Sequence, residues 1–215
     1  MTSAAIALSP PVLASLGGES LVPMSAEPMS ERLPGLPRLG LLRGRREAAL
    51  VREAQGGSEE ALEELFRRHW RRAHRAAFLV VGDASAAEDI AQESFLAAIR
   101  ALDRFDRQRP FGPWLHRITV NRAIDFARAR KLRRESALVD ATEGAVPADA
   151  GLSDELIAAL SALSPEHRAV IVLRYLLGYA PGEIGEILGL PRGTVNSRMR
   201  RALDRLRPAV EAEER

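Results

Sequence analysis

The sequence predicts an all-α chain made of two small helical domains joined by a flexible linker, the second containing a helix-turn-helix. Three observations predict it. Apolar residues recur at spacings of 3, 4 and 7 behind capping residues through most of 45–135 and 152–207. The first of these stretches shows no period-two alternation of the kind a strand would give. Between Ser136 and Gly151 the periodicity stops, while Asp140, Glu143, Gly144, Pro147, Asp149 and Gly151 accumulate, which marks a boundary rather than a loop inside one domain.

Residues 1–42 hold six of the thirteen prolines (Pro10, Pro11, Pro23, Pro28, Pro34 and Pro37) and read as a flexible N-terminal extension. Met1 to Leu16 is apolar, but it lacks a basic leading segment and Pro10-Pro11 interrupt it, so a cytoplasmic location is expected rather than export. No run approaches the roughly 20 apolar residues of a membrane span, so no membrane insertion is expected.

The first domain is assigned to 43–135. Leu62, Leu65, Phe66, His69 and Ala73 mark one face of a helix over 58–80, with Ser58 as N-cap and Glu59 and Glu60 in its first turn. Gly82-Asp83 ends it. Ser85 is the expected cap of the next helix, whose buried face is Ala87, Ile90, Ala91, Phe95, Ala98 and Leu102. A third helix is expected from Trp114 to Arg134, after Arg109-Pro110-Phe111-Gly112-Pro113, and its last turns carry Arg128, Arg130, Lys131, Arg133 and Arg134 with no acid among them. After the 136–151 linker, the second domain (152–208) is read as four short helices over 153–162, 165–177, 181–188 and 192–206, followed by a 209–215 tail.

The 215 residues are 46% apolar and 28% charged, and none is Cys, which excludes a disulfide scaffold, a Cys-ligated metal and a Cys nucleophile. Of 31 cations only Lys131 is a lysine. The net charge of +2 conceals its distribution: the 43–135 segment has 20 cations against 14 acids, the linker has three acids and no cation, and 152–215 is balanced. His69, His74, His116 and His167 form no HxxxH pair, and neither a phosphate-binding Gly loop nor a serine elbow occurs. No catalytic activity, metal or cofactor is expected.

The strongest local signal lies near the C-terminus. Ile184, Ile187 and Leu188 can pack across the Gly189-Leu190 turn against Val195 and Met199, which is helix-turn-helix geometry. From Arg192 to Arg207 there are six Arg and one acid, Asp204, outside a stripe of Val195, Met199, Leu203 and Leu206. Arg-rich terminal helices also occur as solvated surface or RNA-binding tails, but the Pro and Gly punctuation and the apolar stripe specify a docked helix, which favours DNA reading over both. On it Asn196 suits adenine and Arg200 suits guanine or phosphate, while Ser197, Arg198 and Arg201 suit the backbone. Upstream, the basic aromatic loop Asp103 to Trp114 suits unpaired bases. Two bland readings stand beside it: Trp114 as core with Leu115 and Ile118, and Asn121 with Asp125 as an internal pair.

Taken in order, Glu88-Asp89-Ile90-Ala91-Gln92-Glu93-Ser94-Phe95, then Phe105, Trp114-Leu115, Ile118, Asn121 and Asp125, then Gly193-Thr194-Val195-Asn196-Ser197-Arg198 and Arg201-Ala202, the sequence resembles the extracytoplasmic-function class of bacterial sigma factors. The resemblance covers about 45–135 and 152–207. It implies a transcription initiation factor, commonly of stress responses, whose partners are core RNA polymerase, promoter DNA and an anti-sigma factor. It implies that Asp89, Gln92 and Glu93 meet the polymerase clamp. It places Arg104, Phe105, Arg107, Arg109, Trp114, Asn121, Arg128, Arg130, Lys131 and Arg133 at the −10 element, and Arg192, Thr194, Asn196, Ser197, Arg198, Arg200 and Arg201 at the −35 element. Two alternatives are a stand-alone helix-turn-helix regulator, which has no need of the Asp89 to Phe95 segment, and a sigma mimic, which has no need of the Arg face. Three departures from the family pattern stand out: Asn196 where a basic residue is common, Gly185 where a small Ala is usual, and the long N-terminal front, for which Met24 and Met29 are alternative starts.

Overall fold

The computed structural model describes residues 37–137 and 153–213, all of whose regular structure is helical. The first unit contains α1 (Pro37–Gln55), α2 (Glu59–Val81), α3 (Ala84–Ala101), a 3₁₀ turn (Leu102–Arg104) and α4 (Phe111–Ala137). The second contains α5 (Asp154–Ser161), α6 (Pro165–Ile171), a π-helical turn (Val172–Leu176), α7 (Pro181–Leu188) and α8 (Arg192–Glu213). Among the described residues no helix is long and apolar enough to cross a membrane.

Helix α2 follows its sequence signals closely. Ser58 accepts a hydrogen bond from the Ala61 N–H at its start, and Gly82, at φ 68°, closes it in the left-handed region that glycine enters without steric cost. Other boundaries move. The N-cap of α3 is Asp83, whose carboxylate accepts from the Ala86 N–H, and not Ser85; Asp83 has the extended backbone a cap requires, whereas Ser85 already lies inside the helix. Helix α4 starts at Phe111 rather than Trp114, because Pro113 fits a first turn whose N–H groups have no intrahelical partner. Those groups find one in another helix: Glu47 of α1 accepts from Phe111 N–H at 3.0 Å and Gly112 N–H at 3.3 Å.

Helix α1 precedes the first helix expected from apolar spacing and begins at Pro37, so the expected boundary at 42 falls within it. The rest of the expected extension, and the linker from 138 onward, lie outside the described residues. At the other end α8 runs through Pro208 to Glu213, held by Val210 at 3% exposure, so 209–213 is helix rather than tail. The expected 165–177 helix is α6 continued by the π turn, in which Leu177 N–H reaches back to Val172 O.

One apolar cluster in the first unit joins Val51 of α1, Leu65 of α2, Phe95 of α3 and Leu115 of α4. A second cluster does not respect the unit boundary: Phe78, Val80, Ile90, Val120 and Ile124 share it with Leu156, Leu160, Val170, Leu173, Ile184, Val195 and Leu206. Ala76, Ala77, Phe78, Leu79, Val80 and Val81 are consecutive and all buried, because α3 and α4 cover one side of α2 and the second unit covers the other. Each large side chain among them contributes about 1.5–3 kcal/mol by leaving water.

The helix-turn-helix of α7 and α8 turns on two glycines. Gly189 ends α7 at φ 65°. Helix propensity alone makes Gly185 a slight weakness of α7, but the packing reverses the sign. A Cβ there would lie 2.6 Å from the Leu190 carbonyl oxygen, and Leu190 is itself held in place by its N–H, which donates to Gly185 O at 2.8 Å. Gly185→Ala is therefore expected to destabilise the chain by about 1–2 kcal/mol. Urea unfolding reads the sign, and a stabilised variant would show that the turn yields freely.

Candidate nucleic-acid interface

Helix α8 is docked by Val195, Ala202, Leu206 and Val210, each at most 3% exposed, with Met199 and Leu203 partly buried beside them. The expected stripe of Val195, Met199, Leu203 and Leu206 is thus shifted slightly around the helix. Arg192, Asn196 and Arg200, four residues apart, form an exposed line along one side of the helix, and Arg201 is exposed as well. Thr194, Ser197 and Arg198 are half-buried, and Ser197 Oγ donates to Thr194 O at 3.0 Å. Arg198, Arg205 and Arg201 are near enough to α6 to join burial, the larger cause, in holding the His167 imidazole below its ordinary value. Arg198 and Arg201 therefore lie on the side of α8 toward α6, whereas Asn196 and Arg200 are exposed.

The loop before α4 is braced from behind. Gln55 Nε2 donates to Leu102 O at 2.8 Å and Phe105 O at 3.0 Å, so α1 fixes its entry. Arg104, Arg107 and Arg109 are exposed along it. Phe105 is 8% exposed, with its ring centroid 4.5 Å from Trp114 and 5.9 Å from Phe111. This corrects its assignment as a DNA contact: Phe105 is core here, and it supports the half-buried Trp114.

Trp114, Asn121 and Arg128 are seven residues apart and share one face of α4, spread over about 21 Å at 1.5 Å per residue. No hydrogen bond joins Asn121 to Asp125 among the described residues; Asp125 lies 3.7 Å from Arg128 instead. Arg128 also donates from Nε to Glu166 of α6 at 2.6 Å, and Arg130 pairs with Asp83 at 3.1 Å. Lys131 and Arg133 are exposed. The sequence reading misses Arg117, an exposed cation on the same face as Trp114 and Asn121; helical spacing alone would have found it.

The exposed stripe of α3 is acidic and then apolar. Asp89, Gln92 and Glu93 all face solvent, and Leu96 and Ile99 continue the line at 51% and 46% exposure beside Phe66 at 40%. Gln92 donates to Glu88 at 3.3 Å, and Glu93 accepts from Arg122 of α4 at 2.7 Å. An acidic edge with an adjoining apolar patch suits a basic protein surface better than nucleic acid.

A helix-turn-helix with an Arg-faced second helix, set beside a helical unit with a basic aromatic loop, is the architecture of a promoter-reading protein. Comparison with known proteins places it. Family models described as Sigma-70 region 2 and Sigma-70, region 4 match residues 65–133 and 159–208. The chain is 33% identical over 175 residues to the ECF RNA polymerase sigma factor SigW of Bacillus subtilis, covering 73% of this chain and 92% of that one. It is 38% identical over 155 residues to the ECF RNA polymerase sigma factor SigE of Mycolicibacterium smegmatis, spanning 67% of this chain and 60% of that protein's length. CnrH, solved in complex with the cytosolic domain of CnrY, superposes with a TM-score of 0.58 at 30% identity, covering 77% of this chain and 97% of that one. The chain belongs to the extracytoplasmic-function class of the sigma-70 family.

Proposed function

We propose that the chain is a sigma factor that binds core RNA polymerase and directs initiation at promoters. In this reading α8 reads the −35 element as duplex, and the loop and α4 open and hold the −10 element. The observation that carries it is the exposed Arg192, Asn196 and Arg200 stripe on a helix locked by Val195, Ala202 and Leu206. Thr194, Ser197, Arg198 and Arg201 serve the flanking phosphates. Arg104, Arg107, Arg109, Trp114, Asn121, Arg128, Arg130, Lys131 and Arg133 form the −10 set, now without Phe105. Asp89, Gln92 and Glu93, with Leu96 and Ile99, form the polymerase edge, and that edge counts against a stand-alone operator-binding regulator. Its place of action is the cytoplasm, with the polymerase. An anti-sigma factor is a further expected partner, since a sigma factor of like fold, RpoE of Bartonella quintana, was solved in complex with the anti-sigma factor NepR.

Run-off transcription with purified core polymerase tests the reading: a promoter-dependent transcript supports it, and its absence on every cognate template overturns it. Within that assay Asn196→Ala is expected to change −35 preference. Arg201→Ala is expected to weaken binding on all sequences and to lower the salt slope by about one. Equal losses on all templates for both would reject the division into base and phosphate contacts.

A further inference from the structure

The loop between the 3₁₀ turn and α4 is tied to α1 at both of its ends. At the entry Gln55 Nε2 donates to Leu102 O at 2.8 Å and to Phe105 O at 3.0 Å. At the exit Glu47 Oε1 accepts from the Phe111 and Gly112 N–H groups, and Glu47 Oε2 lies 3.7 Å from His69 Nε2 of α2. Gly112 is pressed against the same ring: a Cβ there would lie 3.3 Å from His69 Cε1. Glu47 and Gln55 are separated by about 12 Å along α1 at 1.5 Å per residue. The stretch from Leu102 to Phe111 would reach about 30 Å if extended, so the two ties hold it folded back on itself.

Within that frame the loop closes its own turn. Asp106 accepts from Gln108 N–H through its carboxylate at 2.9 Å and from Arg109 N–H through its carbonyl at 3.0 Å. Arg104, Arg107 and Arg109 are exposed along it, while the rings of Phe105, Phe111 and Trp114 pack on one another. Helix α1 gives the core Val51 and Ala54; Glu47 and Gln55 serve the loop instead. Gln55 does so at the cost of its own Oε1, which is buried with no partner among the described residues. A stranded acceptor works against stability, so what the two donated hydrogen bonds return is a fixed loop.

We infer that Glu47 and Gln55 are positioning residues for the −10 element, acting through the loop to fix the shape in which Arg104, Arg107 and Arg109 meet the unpaired strand. This role deepens the sigma-factor reading and rests on it for its consequence, though not for the brace itself. A loop ordered beforehand loses little freedom on binding, and it offers right and wrong bases one geometry instead of many. Base choice therefore sharpens together with affinity.

The test assembles core polymerase with the parent chain, with Gln55→Met and Glu47→Met singly and together, and with Gln55→Lys and Glu47→Gln, which keep a donor and an acceptor respectively. Val51→Ala is the control, since it weakens the core of α1 and leaves both ties in place. Run-off transcription is read on templates that share one −35 element and differ by single bases through the −10 element. The ratio of best to substituted template does not depend on how much of the chain is active. The Met double variant is expected to lower that ratio about tenfold, while Gln55→Lys, Glu47→Gln and Val51→Ala stay within about twofold of the parent. In the free chain, trypsin cleavage after Arg107 is expected to be about tenfold faster for the double variant, with −35 duplex affinity unchanged. If the double variant does not melt cooperatively, Gln55→Met alone decides, with an expected fall of about threefold in the ratio. A ratio unchanged by loss of both ties overturns the positioning role, as does an equal fall for Val51→Ala. Unchanged cleavage after Arg107 overturns the brace. Faster cleavage with no transcript from the parent chain on any template keeps the brace and rejects the sigma-factor reading.

Discussion

Arg168→Met is expected to cost about 3–5 kcal/mol of unfolding free energy, about 1–2 kcal/mol for each of the three buried carbonyls it leaves unpaired. The guanidinium is 8% exposed, and among the described residues its hydrogen-bond partners are backbone carbonyls, with no carboxylate. Its charge is balanced by carbonyls instead: Nη1 donates to Val80 O in the last turn of α2, and Nη2 donates to Ser161 O and Leu163 O, both at 3.0 Å, at the end of α5. These oxygens sit at the negative ends of two helices, which have no intrahelical N–H to receive. Burial lowers the guanidinium only to about 10, so it stays charged at neutral pH. Methionine keeps much of the volume and strands all three acceptors, whose desolvation is then uncompensated. Arg168→Lys keeps the charge, but a single ammonium cannot reproduce the two-pronged geometry, and an intermediate loss is expected. Urea unfolding of the three chains gives the order; a Met variant within 1 kcal/mol of the parent would mean that water replaces the guanidinium.

Most of the helical content is legible in the sequence because it rests on local signals. Ser58, Ser153 and Ser164 act as caps, and Gly82 and Gly189 close helices at positive φ. The surface of α8 follows from the same arithmetic, since a stripe that begins at Val195 leaves Asn196 and Arg200 outward. What spacing does not reveal is contact between distant segments. Glu47 capping α4, Gln55 bracing the loop and Arg168 beneath α2 are polar side chains whose partners lie 64, 50 and 88 residues away. Docking of the two units did leave a trace: Ala76 to Val81 is apolar at every position, and a helix with one covered face needs no such run. Phe105 was misassigned for a related reason, because an aromatic in a basic loop has the same signature whether it stacks on a base or supports the residue that does.

Acid is expected to destabilise the fold at the His116–Tyr179 contact before it titrates most carboxylates. His116 is 3% exposed, its Nδ1 is bonded to Tyr179, and its Nε2 is buried with no partner among the described residues. A second proton would therefore place a charged imidazolium N–H where nothing accepts it. Burial, then His69 and Arg72 of α2, depress His116 from its ordinary 6.5 to about 3. Glu47 of α1 faces His69 and only partly opposes the burial that lowers that ring as well. From the second unit, burial and then Glu183 push the Tyr179 hydroxyl upward, so it remains a neutral partner. A base with a lowered native pKa stabilises the native form fully above 6.5, and that contribution falls as pH drops below 6.5 until it levels near 3. At pH 5.0 the chain should have lost about 2 kcal/mol relative to pH 7.5, at about 1.4 kcal/mol per unit of pH below the ordinary value. His116→Gln keeps a hydrogen-bonding side chain for Tyr179 and removes the titration, so its loss over the same interval should shrink to the remainder supplied by His69. Urea unfolding of both chains at the two pH values measures the difference; equal losses would assign the acid sensitivity to groups other than His116.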